Sequence, residues 1–345
     1  MAESGISVVI CCHNSAVRLP PTLAHIAAQQ LESNLGWEVV IVDNACLDNT
    51  AASAVQCWQK LATSIPLRVV SEPRLGLSYA REKGFASAKY PLIAFSDDDN
   101  WLQPDYLQVA CNLMNRYPQI GILGGCGEPV FELEPPDWLK GMRLFAVGPQ
   151  AESSGKVSAN IVYGAGFVFR KSAYQRLRQA GFASLLPDRM AKNLSSGGDY
   201  ELCYVTAMAG YEIWYEEKMR FKHYFPAERL TWEYYIKYIE ESLRCFEVIE
   251  PCKILASGPG AMKKGYFSLR LIWNFLYFFR KYMTISLRRL ANDPKSSKGR
   301  IDRMNARIYR IMGTNYFRDY RRLMDNYHTC LALKKRLNGP DQLPE

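Results

Sequence analysis

Phe95-Ser96-Asp97-Asp98-Asp99-Asn100 closes an apolar run, Pro91-Leu92-Ile93-Ala94, that reads as a buried strand. Three carboxylates crowded at a strand end repel one another, and a cation is the usual compensation. Hard divalent metals such as Mg²⁺ take oxygen ligands and keep substrate phosphates as further ligands. The stretch therefore predicts a strand-end metal site that holds a nucleotide diphosphate. An acidic turn ahead of the helix after Pro104 is the plainer reading. These six residues alone do not separate the two.

The flanking sequence favours the first. Residues 6–12 and 37–43 are β-branched runs of buried-strand type, and 67–70 is a third. Between them, 19–30 has helical spacing with Pro20-Pro21 in its first turn, Asp48-Asn49-Thr50 opens a second helix, and 78–88 is a third. Such alternation predicts βαβ units and a mostly parallel sheet, in which ligands bind at the carboxyl ends of strands. Four polar clusters stand at those ends: Cys12-His13-Asn14, Asp43-Asn44, Glu72-Pro73-Arg74 and Asp97-Asp98-Asp99. No G-x-G-x-x-G follows the first strand and no G-x-x-x-x-G-K-[ST] occurs, which disfavours a dinucleotide fold or a Walker loop. A metal held by carboxylates is then the available means of neutralising a diphosphate.

The bulk composition agrees. The chain has 345 residues, 48% apolar and 22% charged, as in globular proteins. Its ten cysteines are scattered and none forms a C-x-x-C pair, so a zinc site is disfavoured and a reduced, cytosolic state is expected. The N-terminus lacks a basic segment followed by an apolar one, so no secretory signal is expected. Charge is uneven. Residues 253–336 carry 20 Lys and Arg against 4 Asp and Glu, while the remainder carries 23 against 30, within a net +9. A surplus of that kind points to an anionic partner for the tail, either membrane phospholipid or nucleic acid. Nucleic acid ranks low, because no nucleic-acid module accompanies the charge.

Ser7-Val8-Val9-Ile10-Cys11-Cys12-His13-Asn14, Val40-Ile41-Val42-Asp43-Asn44, Gly76-Leu77-Ser78-Tyr79-Ala80-Arg81-Glu82-Lys83-Gly84 and Phe95-Ser96-Asp97-Asp98-Asp99 resemble the successive motifs of family 2 glycosyltransferases. The resemblance covers roughly residues 6–225 and implies a GT-A fold, a Rossmann-like α/β sheet flanked by helices. It implies that Cys12, Asn14, Asp43 and Asn44 lie near the nucleotide base, with Arg81 and Asp98 also on the nucleotide side. Asp97 would lie near the ribose and metal, and Asp99 would bind the metal, Mg²⁺ or Mn²⁺. Cys11-Cys12-His13 departs from the family's more usual Pro-Thr-Tyr, which puts base stacking in question. His13 is either a stacking substitute or a satisfied turn residue.

Further along, 161–170 reads as a strand with Gly164 and Gly166 inside it, and glycine there marks close approach of a ligand or another backbone. Ser195-Ser196-Gly197-Gly198-Asp199 delivers a carboxylate to a helix start, where negative charge is stabilised. A simple N-cap is compatible with the same position. By resemblance Asp199 is the catalytic base, and Glu201, two residues on, points elsewhere. His223 is a further expected ligand of the metal or diphosphate.

From Pro226 the pattern changes to long helices, giving expected domains of 1–225 and 226–345, the latter a C-terminal α-helical extension. Residues 230–249 and 305–336 read as helices. Residues 266–279 are the most apolar stretch, too short to span a bilayer and flanked by Arg280-Lys281 and Arg288-Arg289. Aromatics beside basic residues are the composition of an interfacial membrane element, here through 263–336. A core helix with a solvated basic face is the alternative. The expected function is metal-dependent, inverting transfer of a sugar, UDP-linked by resemblance, to a saccharide or lipid-linked saccharide. The setting would be cell-envelope polysaccharide synthesis, cytoplasmic or peripheral at the inner membrane face. A sugar nucleotidylyltransferase and a non-catalytic nucleotide-sugar-binding protein are the alternatives. The first lacks its Gly-rich basic loop at His13-Asn14-Ser15, and retention of Asp199 with the aspartates disfavours the second.

Overall fold

Apolar side chains on both faces of a run favour a central strand, and that is where the computed structural model puts them. It describes residues 4–139, 142, 145–186, 188–190, 194, 196–258, 264–293 and 296–339. Strand β1 (Gly5–Cys12) pairs in parallel with β2 (Gly36–Asn44) and with β4 (Leu92–Ser96). β3 (Leu67–Glu72) lies parallel on the other side of β2. The connections are helices α1 (Leu19–Ala27), α2 (Thr50–Lys60) and α3 (Leu77–Ser87). Register brings the strand ends level, with Cys12 opposite Asp43, Asn44 opposite Glu72 and Ile10 opposite Ser96.

The sheet continues through β5 (Asn100–Leu102), α4 (Tyr106–Arg116), β6 (Ile120–Phe131), β7 (Gly155–Lys156), β8 (Val168–Arg170), α5 (Lys171–Gln179), α6 (Gly198–Met208) and β9 (Glu212–Phe225). Among the described residues nine strands form one mixed sheet in the order β3-β2-β1-β4-β8-β6-β9-β5, with β7 on β9. It is mostly parallel; β5, β7 and β8 run against their neighbours. Its core carries Ile6, Val8, Ile10, Val39, Ile41 and Ala94, all with almost no exposure.

Two local readings change. The strand expected over 161–170 is reduced to β8, because the chain turns at Gly166 (φ 73) and the Gly164 amide bonds a side chain. The helix expected over 230–249 is two, α7 (Trp232–Ser242) and α8 (Phe246–Ala256), separated by a tighter turn at Leu243–Cys245.

Contacts divide the chain into two compact units. One comprises residues 1–132, 144–192 and 198–225, and the other 133–143, 193–197 and 226–345. The second unit is helical, with α7, α8, α9 (Lys264–Ala291), α10 (Ser297–Arg318) and α11 (Tyr320–Leu337). The segment expected as one helix over 305–336 breaks at Asp319. Thr231 caps α7 by accepting the Tyr234 amide, and Ser296 caps α10 by accepting that of Gly299. Phe267 stacks on Tyr327 at 4.1 Å in the unit's core.

Candidate active site

β4 ends in a tight turn in which the Asn100 amide donates to the Asp97 carbonyl and the Asp97 amide to Asn100 Oδ1. The turn sends the three carboxylates to different places. Asp98 accepts from Arg18 Nη2 at 2.8 Å, while its carbonyl accepts the Thr22 hydroxyl of α1. Asp99 is buried and faces His223, with Nε2 3.6 Å from its Oδ1. β5 and β9 fix that pairing, since Asn100 lies opposite His223 in their ladder. Asp97 is half-buried, and its carboxyl is raised to about 6, first by burial and then by the charge on Asp99.

The second cluster forms around Arg81 on α3. Its guanidinium is buried and bonds Asp188 Oδ2 through Nη1 at 2.8 Å. Burial opposes its charge, but Asp188, Asp199, Asp97 and Cys11 push its pKa above the usual range. Asp199, in the first turn of α6, accepts the Gly164 amide on Oδ2 and the Tyr200 amide on Oδ1, each at 2.9 Å. Glycine is required on both sides of this cluster. A Cβ at Gly164 would lie 2.8 Å from Arg81 Nη2 and 2.9 Å from Asp199 Cβ, and one at Gly198 would lie 2.5 Å from Asp188 Oδ2.

The ends of β1 to β3 carry polar groups already engaged by the protein. Asn44 is buried, donates to the carbonyls of Glu72 and Arg74, and accepts the Gly76 amide, so it clamps the loop that starts α3. Asn14, at φ 53, accepts the Leu47 amide. Asp43 is half-buried and accepts the Cys46 amide. Cys12 is fully buried, and burial pushes its thiol up. Any contact it makes with a ligand is through its backbone. His13 holds the Asn44 carbonyl with Nδ1 at 2.8 Å.

With this geometry in hand, the family described as Glycosyl transferase family 2 matches residues 7–178. The chain belongs to that family. It is 26% identical over 107 residues to the cholesterol galactosyltransferase of Borreliella burgdorferi, covering 31% of this chain and 28% of that protein. It is 33% identical over 99 residues to an uncharacterized glycosyltransferase of Mycobacterium bovis, covering 29% and 38% respectively. The chain thus spans about a third of the length of these curated relatives. The crystal structure of S. aureus TarS 1–349 in complex with UDP-GlcNAc matches with a TM-score of 0.50 at 14% identity, over 91% of this chain and 92% of that one. That likeness is one of fold, and the fold is GT-A.

The family 2 match ends before Asp188, Asp199, Glu201 and His223. Of these, Asp188 had no functional reading in the sequence, and Glu201 was only the weaker candidate for the base. Asp188 is an isolated acid whose partner Arg81 lies 107 positions away. Glu201 is buried, accepts the Leu185 amide at 2.8 Å and the Ser184 hydroxyl, and is raised to about 7 by burial. It anchors the segment whose Leu186 carbonyl accepts from Ser78 of α3.

The residues around β4 fit a divalent metal in one respect. Asp97 and Asp99 stand two residues apart in one turn, the charge on Asp99 helps to raise the half-buried Asp97 carboxyl, and His223 offers nitrogen beside the buried Asp99. Among the described residues no three His, Cys, Asp or Glu groups form a ready-made ligand set. A cation there would draw its remaining ligands from phosphate and water, as Mg²⁺ commonly does.

Proposed function

We propose that this family 2 chain transfers a sugar from a nucleoside diphosphate sugar to a hydroxyl of a saccharide or lipid-linked saccharide. One observation carries the reading. The buried Arg81 guanidinium is bonded to Asp188 and meets Asp199 of α6 across Gly164, where a Cβ would lie 2.8 Å from Arg81 Nη2 and 2.9 Å from Asp199 Cβ, and the charge of Asp97 at the end of β4 acts on the same group. A donor end and a base end thereby share one fixed cation. Asp199, held by two backbone amides, accepts the proton of the acceptor hydroxyl as that oxygen attacks the anomeric carbon. A single displacement of this kind inverts the anomeric centre. Asp99 with His223, joined by Asp97 from the same turn, would hold Mg²⁺ or Mn²⁺. When bound, that ion supplies positive charge to the departing diphosphate. Asp43, with the backbone of Cys12 and Asn14, lines the nucleotide side, and UDP is the proposed nucleotide. Asn44 and Arg81 act by holding that side in shape, and Asp98 by anchoring the β4 turn to Arg18. The proposed setting is cell-envelope glycan synthesis, at the cytoplasmic face of a membrane.

The test is a panel of nucleotide sugars assayed for transfer and hydrolysis with Mg²⁺, Mn²⁺ and chelator. Chelation is expected to abolish turnover. Asp199→Asn is expected to lower turnover at least about 100-fold while donor affinity changes little. Full activity in Asp199→Asn would overturn the assignment of the base. Failure of every nucleotide sugar to bind would overturn the transferase reading itself.

A further inference from the structure

Helix α9 carries apolar side chains on two opposite faces with a basic flank between them, and in a globular protein an apolar face packs against another element. One face meets that expectation. Phe267, Leu271 and Ile285 are buried, and Phe267 stacks on Tyr327. The opposite face does not. Leu269, Trp273, Leu276, Met283, Leu287 and Leu290 are exposed, from 46% at Met283 to 85% at Leu290. With Ile272, Tyr277 and Phe279 beside them, the exposed apolar side chains cover an arc of roughly 160° at about 100° per residue. Isolated exposed hydrophobics are ordinary, but a continuous face of this length marks an interaction surface.

The charges on α9 select the occupant. The 28-residue helix contains no Asp or Glu. Arg270, Lys281 and Arg288 lie along one flank of the apolar face, and Arg280 sits within it. A second copy of the helix would bring like charges together and bury Arg280 in the seam, and it would cover only the narrow stripe that a coiled coil uses. A bilayer surface with anionic headgroups accepts the whole width and answers the charge, and Arg280 can extend its guanidinium to the headgroups. Among the described residues no helix is long and apolar enough to cross a membrane, so the helix would lie on the surface.

We infer that the exposed face of α9 is a docking surface for anionic phospholipid, with the helix lying in the headgroup plane. This deepens the membrane setting proposed above and rests on it for location only. Lipid binding is measured without any sugar donor, so its failure leaves the transferase reading untouched, and the reverse also holds.

The experiment is flotation of the full chain with vesicles of phosphatidylglycerol and phosphatidylcholine in equal parts, against phosphatidylcholine alone. The chain is expected to float with the mixed vesicles, to be released by high salt and to bind phosphatidylcholine much less. Trp273→Glu and Leu287→Glu, both on solvent-facing positions, are each expected to reduce partitioning at least about ten-fold with unchanged far-UV circular dichroism. Equal binding by these variants overturns the proposal. So does the absence of flotation, and so does a concentration-dependent dimer that the two substitutions dissociate, which would assign the face to a second copy.

Discussion

Asp188 is the residue through which Arg81 keeps its place. Its backbone sits at φ 55, in the left-handed region that Asp tolerates better than most side chains. The carboxylate pays for no solvent contact; it lies buried against the guanidinium. Removing one partner of a buried ion pair leaves the other without compensation. Asp188→Asn should therefore destabilise the protein by about 3 kcal/mol and reduce transfer on the order of ten-fold or more as Arg81 shifts toward Asp199. Urea melts and steady-state rates check both. A loss under about 1 kcal/mol would mean that Asp199 and Asp97 suffice to hold Arg81. The two halves of this pair were unequally legible. Arg81 stands within a motif-like helix after a glycine turn, whereas Asp188 has no periodic neighbour, and a pairing across 107 positions leaves no local trace. Asn44 was legible only as a polar residue at a strand end; that its side chain commits its hydrogen bonds to the backbone of residues 72–76 leaves no mark in the sequence.

At the scale of elements, α6 and the segment before it are joined by Glu201, and that segment in turn receives Ser78 of α3. The Glu201 carboxyl titrates near 7 in the folded protein against 4.5 for its ordinary value, because burial disfavours the charged form. The folded state then binds more protons than the unfolded chain between those values, so stability falls as pH rises through that window and is flat above it. The whole contribution is at most about 3 kcal/mol. Glu201→Gln keeps an acceptor for the Leu185 amide and removes the titration. The variant is expected to lose most of this slope between pH 4.5 and 7 relative to the parent, as read from denaturation midpoints at several pH values. Parallel profiles for the two proteins would show that Glu201 carries no such linkage. Elements with a period were read directly, as in the apolar runs of β1, β2 and β4 and the spacing of α1. The strand expected over 161–170 was not, because its bend depends on Asp199 bonding the Gly164 amide from a helix more than thirty residues away.

At the scale of the molecule, composition changes at Pro226, and the sequence alone places a boundary there. The compact units follow contacts instead, and they assign residues 133–143 and 193–197 to the helical unit. Both carry loop composition, Pro135-Pro136 in the first and Ser195-Ser196-Gly197 in the second, which does not say which unit they join. Trp138 belongs to the helical unit through side chains far along the chain, Trp232 at 5.1 Å and Tyr235 at 5.7 Å. The Leu194 amide likewise donates to Glu241. A chain ended after Phe225 would keep Trp138 and Leu139 and remove the helices they pack on, and it would leave the Leu194 amide without Glu241. Losing the burial of an aromatic or leucine side chain costs about 1.5–3 kcal/mol each, and the newly exposed groups would form an apolar patch. The fragment is therefore expected to self-associate on size exclusion and to be cut by protease within 133–143, where the full chain resists. A fragment that stays monomeric and uncut there would show that the sheet unit folds without the helices, and that the boundary at 225 is the physical one.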